Sequence, residues 1–146
     1  MNESPEEPVI EIEIRTGPSR FDWWRKGKAI DLWSIPHFLF GVLMGFLPHI
    51  TNISFFTGLA LTVILGMLWE IYEKFVEIKE TILNSLFDIV LPMGAFVLTT
   101  ETLRLYPYLQ PADLWVLMGA VFIVYAFTNI SGWLAYRRRN RDFWME

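Results

Sequence analysis

The chain has 146 residues, 53% of them hydrophobic and 16% aromatic, with mean hydropathy +0.35, a composition outside the range of an ordinary soluble domain of this size. Twelve basic against 16 acidic residues give a net charge of −4, which leaves no electrostatic footprint for nucleic acid. The absence of cysteine excludes disulfide scaffolds, thiolate metal sites and cysteine nucleophiles together.

Eleven of the 28 charges fall in residues 1–28, only Asp31 then precedes Glu70, six fall between Glu70 and Glu80, and none lies between Leu114 and Tyr136. That clustering predicts an all-α fold, a four-helix transmembrane bundle with spans Ile30–Leu47, Phe55–Phe75, Thr81–Thr100 and Leu114–Tyr136. At about 1.5 Å per residue each can cross roughly 30 Å of hydrocarbon. The organisation is an N-terminal tail over residues 1–28, a membrane domain over 29–136 and a basic C-terminal tail over 137–146, with no room for a second domain.

Glu3, Glu6, Glu7, Glu11 and Glu13 replace the positive region of a secretory leader, so the first stretch is expected to stay attached. Val9 to Arg15 alternates apolar and charged side chains; this fits an extended terminus, or a strand added to a partner's sheet edge or paired in a homodimer. Phe21 to Lys26 suits the inner membrane surface, rings inserted and cations toward anionic lipid. Arg15, Arg20, Arg25, Lys26 and Lys28 precede the first span, Lys74 and Lys79 flank the second turn, and Arg137, Arg138, Arg139 and Arg141 follow the last. The remaining loops hold only Arg104, which predicts both termini in the cytoplasm of a cell membrane crossed four times. Trp23, Trp24, Trp69, Tyr72, Tyr106, Tyr108, Trp115, Trp133 and Tyr136 lie near span ends, as an aromatic belt requires.

With that orientation, Asp31, His37, Glu70, Glu73, Asn84 and Asp88 all come to the cytoplasmic half of the bilayer. Gly58, Thr62, Gly66, Glu70, Glu73 and Glu77 form one stripe of small and acidic residues on the second span. Glu80, Asn84, Asp88 and Pro92 do so on the third, and His37, Gly41 and Gly45 on the first, so the three stripes are expected to face one another. Gly41 and Gly45 form a GxxxG pattern, and with Gly66 they are the glycines expected to bring helices close.

A carboxylate in hydrocarbon must be neutralised, paired, hydrated or coordinated. The set of hard oxygen ligands with one imidazole, Glu70, Glu73, Asp88 and His37, suits Mg²⁺, Mn²⁺ or Ca²⁺ better than zinc. A structural alternative pairs Glu70 with Lys74 and lets Asp88 bond Asn84 and His37 to lock three helices. As catalytic apparatus the same groups could activate water or a hydroxyl, but no nucleophile declares itself. Phosphate-loop, His-Glu-x-x-His and di-iron patterns are all absent,. Asn52-Ile53-Ser54 matches a glycosylation triplet in a loop very close to the bilayer. The fourth span carries Thr128, Asn129, Ser131 and Gly132 and reads as scaffold or oligomer face.

Asp31-Leu32-Trp33-Ser34-Ile35-Pro36-His37-Phe38-Leu39-Phe40-Gly41, then Trp69-Glu70-Ile71-Tyr72-Glu73, then Asn84-Ser85-Leu86-Phe87-Asp88-Ile89 with Gly94, resembles the small polytopic bacterial membrane proteins of the VanZ-like and YjdF-like type over roughly Asp31 to Phe96. The resemblance implies a recurrent polar site at Asp31, His37, Glu70, Glu73, Asn84 and Asp88. The chain departs from the VanZ-like pattern at Glu73, where Gln is common, and at Pro92, in a region usually rich in glycine.

The sequence therefore predicts an inner-membrane protein with an acidic and histidine-containing pocket for a divalent cation, a proton or a lipid headgroup. A cation-dependent lipid-headgroup hydrolase or transferase, and a structural or accessory subunit, are the alternatives. The partners expected are membrane lipid and a second copy or another membrane protein.

Overall fold

The computed structural model describes residues 32–76 and 81–142, with side chains as far as 138. The alternating segment over 9–15, the aromatic and basic segment over 21–26, Asp31, Glu77, Glu80 and the side chains of Arg139 and Arg141 lie outside these residues. Four helices follow one another: α1 (Ser34–Thr51), α2 (Phe55–Phe75), α3 (Ile82–Arg104) and α4 (Pro111–Asp142). All four are long and apolar enough to cross a membrane.

Local chemistry sets the ends. The Ser54 hydroxyl accepts from Thr57 N–H and caps α2, and the Thr81 hydroxyl accepts from Asn84 N–H and caps α3, each satisfying a donor that a helix start leaves open. Pro111 opens α4 where no N–H is needed, and Asp113 Oδ2 accepts from Gln110 N–H at 2.9 Å, the carboxylate half of a capping box. Asn52 ends α1 in the left-handed region at φ 57°, a conformation that asparagine tolerates.

The span α2 begins and ends where the sequence places it, and the others differ. The first helix starts at Ser34 rather than Ile30 and runs through Pro48 to Thr51. Pro36 sits in its first turn, where the missing N–H costs nothing. Pro48 removes only one bond near the other end, where Thr51 Oγ1 returns to the Leu47 carbonyl at 2.8 Å. The fourth helix continues through the basic segment to Asp142, about 48 Å at helical rise, longer than a bilayer core needs.

Lipid tails are as apolar as leucine, so membrane helices associate through close backbone approach and polar contacts. The pair α1 and α3 shows both. A Cβ at Gly41 would lie 2.5 Å from Pro92 Cα, and one at Gly45 would lie 2.6 Å from Thr99 Cβ. Thr100 Oγ1 donates to the Gly45 carbonyl at 3.1 Å, and His49 Nε2 lies 3.1 Å from the Thr100 carbonyl. A carbonyl only accepts, so that nitrogen carries the proton. Phe96, fully buried, packs against Gly58 and the Phe55 ring, which ties α2 to the same core.

The fourth helix packs along α1; among the described residues its backbone does not approach that of α2 or α3. Its outward residues, Val116, Ile123 and Phe127 among them, are more than two-thirds exposed.

Candidate functional site

The buried residues of α2 are Gly58, Thr62, Gly66, Glu70 and Glu73; those of α3 include Asn84, Asp88 and Pro92, and those of α1 include His37, Gly41 and Gly45. The expected stripes therefore point inward. Because α1 and α3 begin at the end of the bundle where α2 finishes, their polar members gather there. His37 is about 4.5 Å along α1, Glu70 about 7.5 Å before the end of α2, and Asp88 about 9 Å along α3, at helical rise.

His37, Glu70 and Asp88 each offer a ligand atom, and these atoms lie within 4.8 Å of one another. His37 Nε2 and Asp88 Oδ2 are 3.9 Å apart, too far for a hydrogen bond yet close enough for an ion to sit between them. Twice a metal–oxygen bond length is about 4.2 Å for Mg²⁺ and about 4.6–5.2 Å for Ca²⁺. Adjacent ligand atoms close to about 3.0 Å on octahedral Mg²⁺ and to about 3.3 Å on tetrahedral zinc, so the spacing admits an ion without choosing it, and the oxygen-rich donor set is what favours the hard cations.

Asn84 lies one turn before Asp88 and donates its amide to Asp88 Oδ2 at 2.8 Å. That bond fixes the rotamer of a carboxylate that is 0% exposed, beside an asparagine at 1%. Glu70 is 5% exposed, and Glu70 Oε1, Asn84 Oδ1 and Asp88 Oδ1 are all closed off from solvent. Pro92 has no N–H to offer the Asp88 carbonyl, so the helix is relieved of one internal bond directly above the site.

Glu73, expected as a fourth ligand, does not belong to this group of three. Its Oε1 accepts from the Trp69 indole N–H at 2.9 Å, one turn back on the same helix. Gly66, expected at a helix contact, also differs from Gly41 and Gly45. A Cβ there would meet nothing within 4 Å, because Gly66 lines a cavity between α1, α2 and α4.

The sequence reading takes Asn129 for part of a scaffold or oligomer face and passes over Tyr125; α4 brings both to the wall of that cavity. Their i, i+4 spacing in a charge-free span was the available signal. Both Thr128 Oγ1 and Asn129 Nδ2 donate to the Tyr125 carbonyl, at 2.9 and 2.8 Å. Ser34, one turn below His37, is buried at 4% exposure.

Comparison with protein-family models, with curated proteins and with solved structures finds no match to this chain. The VanZ-like and YjdF-like resemblance stands on the quoted residues alone.

Proposed function

We propose that this protein is a multi-pass membrane protein that holds a divalent cation of the Mg²⁺, Mn²⁺ or Ca²⁺ class between His37, Glu70 and Asp88. The observation that carries the reading is the approach of three ligand atoms from three helices to within 4.8 Å in a buried setting. Two carboxylates and a neutral imidazole around a divalent ion have no net charge, which removes the cost of burying two anions. Asn84 supports the site by donating to Asp88 Oδ2, and the resemblance to VanZ-like proteins includes the same positions. The distribution of lysine and arginine supports a cytoplasmic side for this end of the bundle and for both termini.

The hydrogen bond from Asn84 to Asp88 favours a second reading, in which the cluster is an interhelical lock without an ion. Elemental analysis of gently purified protein, with Mn²⁺ titration followed by electron paramagnetic resonance, separates the two. The cation reading expects one ion per chain, lost in Asp88→Asn and kept in His49→Gln at the opposite end. Wild-type protein that takes up no ion, or an Asp88→Asn variant that binds as wild type does, refutes it in favour of the lock.

A further inference from the structure

A cavity of about 220 Å³ lies between α1, α2 and α4. Phe40, Leu65 and Trp69 make its walls mainly apolar, Gly66 opens its floor, and Asn129 faces it from α4. His37 belongs both to this wall and to the group that can hold an ion. Among the described residues the backbones of α2 and α4 do not approach one another, so the gap between these two walls is the side on which the cavity can open, toward hydrocarbon in a membrane-spanning bundle.

Three side chains do not complete the six to eight oxygen ligands that hard cations take, and Mg²⁺ in particular commonly shares its shell between carboxylates and a phosphate. We infer that the cavity seats the hydrocarbon chain of a lipid that enters between α2 and α4, its phosphate reaching the cation beside His37. This inference rests on the cation reading for the headgroup and on the cavity alone for the chain. Apolar surface supplies the chain site, as in other ligand pockets lined by aromatic and aliphatic residues with few polar groups. Gly66 is the determinant: its missing side chain is what leaves the floor open.

The test uses the full-length protein in dodecyl maltoside, with Gly66→Leu and Asn129→Phe filling the cavity from opposite walls. Native mass spectrometry reads retention of dioleoyl phosphatidic acid, of farnesyl phosphate and of dioleoylglycerol, while calorimetry reads binding of Mg²⁺, Mn²⁺ and Ca²⁺ in lipid-free protein. Wild type is expected to retain one phosphate-bearing lipid, acyl or prenyl according to which of the two probes is held, and at least tenfold less dioleoylglycerol. Both filled variants are expected to lose lipid at least tenfold with Mg²⁺ affinity within twofold of wild type. Folded filled variants that retain lipid at the wild-type level overturn the seating of the chain and leave the cation reading intact. Equal retention of phosphatidic acid and dioleoylglycerol overturns the role of the phosphate. Wild-type protein that binds none of Mg²⁺, Mn²⁺ and Ca²⁺ in calorimetry overturns the cation reading and the headgroup half of this inference with it.

Discussion

Gly41 of α1 lies against the backbone of Pro92 in α3, so close that a Cβ on the glycine would come 2.5 Å from the proline Cα. The neighbour is main chain and cannot swing away. The contact sits one helical turn above His37 on one side and one turn above Asp88 on the other, so the spacing of the two helices also sets the spacing of the site.

Gly41→Ala should therefore destabilise the bundle by about 1–3 kcal/mol, the cost of overpacking a tight contact. Gly66→Ala should instead be neutral or gain up to about 1 kcal/mol from helix propensity, since its Cβ would meet nothing. Unfolding in mixed micelles measures both. Equal effects at the two glycines would show that the close approach of α1 to α3 is not what holds the pair.

Asn84 is a positioning residue for Asp88, through the bond of 2.8 Å. Asn84→Ala should weaken cation binding roughly 10–100-fold, the usual effect of removing an orienting partner, with the ion count at saturation unchanged. Mn²⁺ titration reads affinity and stoichiometry separately. A loss of stoichiometry would make Asn84 itself a ligand; an unchanged affinity would remove its role.

The division between Glu70 and Glu73 shows where sequence reading stops. Both lie on the same small and acidic stripe, and both are buried as that stripe requires. Period alone cannot say which carboxylate meets α1 and α3, because a three-residue step turns the helix by about 60° short of a full turn. Glu70 is the one whose oxygen lies within reach of His37 and Asp88, while Glu73 Oε1 accepts from Trp69 on its own helix. The cavity was illegible for a different reason: α4 offers only the pair Tyr125 and Asn129 in a span without charge, too short a pattern to state that this helix packs along α1 and that its backbone does not approach α2. The stripe over Gly58, Thr62 and Gly66 was legible because in lipid only small and polar residues mark the inward side.

Glu73→Gln should consequently leave the ion stoichiometry at its wild-type value, and Glu70→Gln should lower cation affinity at least tenfold. Trp69→Phe, which removes the indole donor to Glu73, should behave as Glu73→Gln does in the same titration. Loss of the ion in Glu73→Gln but not in Glu70→Gln would exchange the roles of the two acids.

At the far end of α1, the Thr100 hydroxyl bonds the Gly45 carbonyl, eight residues beyond His37 and so about 12 Å along the helix. Thr100→Val keeps the shape and removes the bond, and should cost about 0.6 kcal/mol, with about 1.7 kcal/mol as the upper bound for interhelical bonds in membranes. A cation at about 100 times its Kd should add about 2.7 kcal/mol of stability, reversed by a chelator. Sites more than about 10 Å apart without shared partners act additively, so the gain should be equal in wild type and Thr100→Val and absent in Asp88→Asn. Unfolding curves with and without Mg²⁺ measure all three. A smaller gain in Thr100→Val would mean that the two ends of α1 are coupled through the Gly41 contact, and that a change in helix spacing at one end is felt by the ligands at the other.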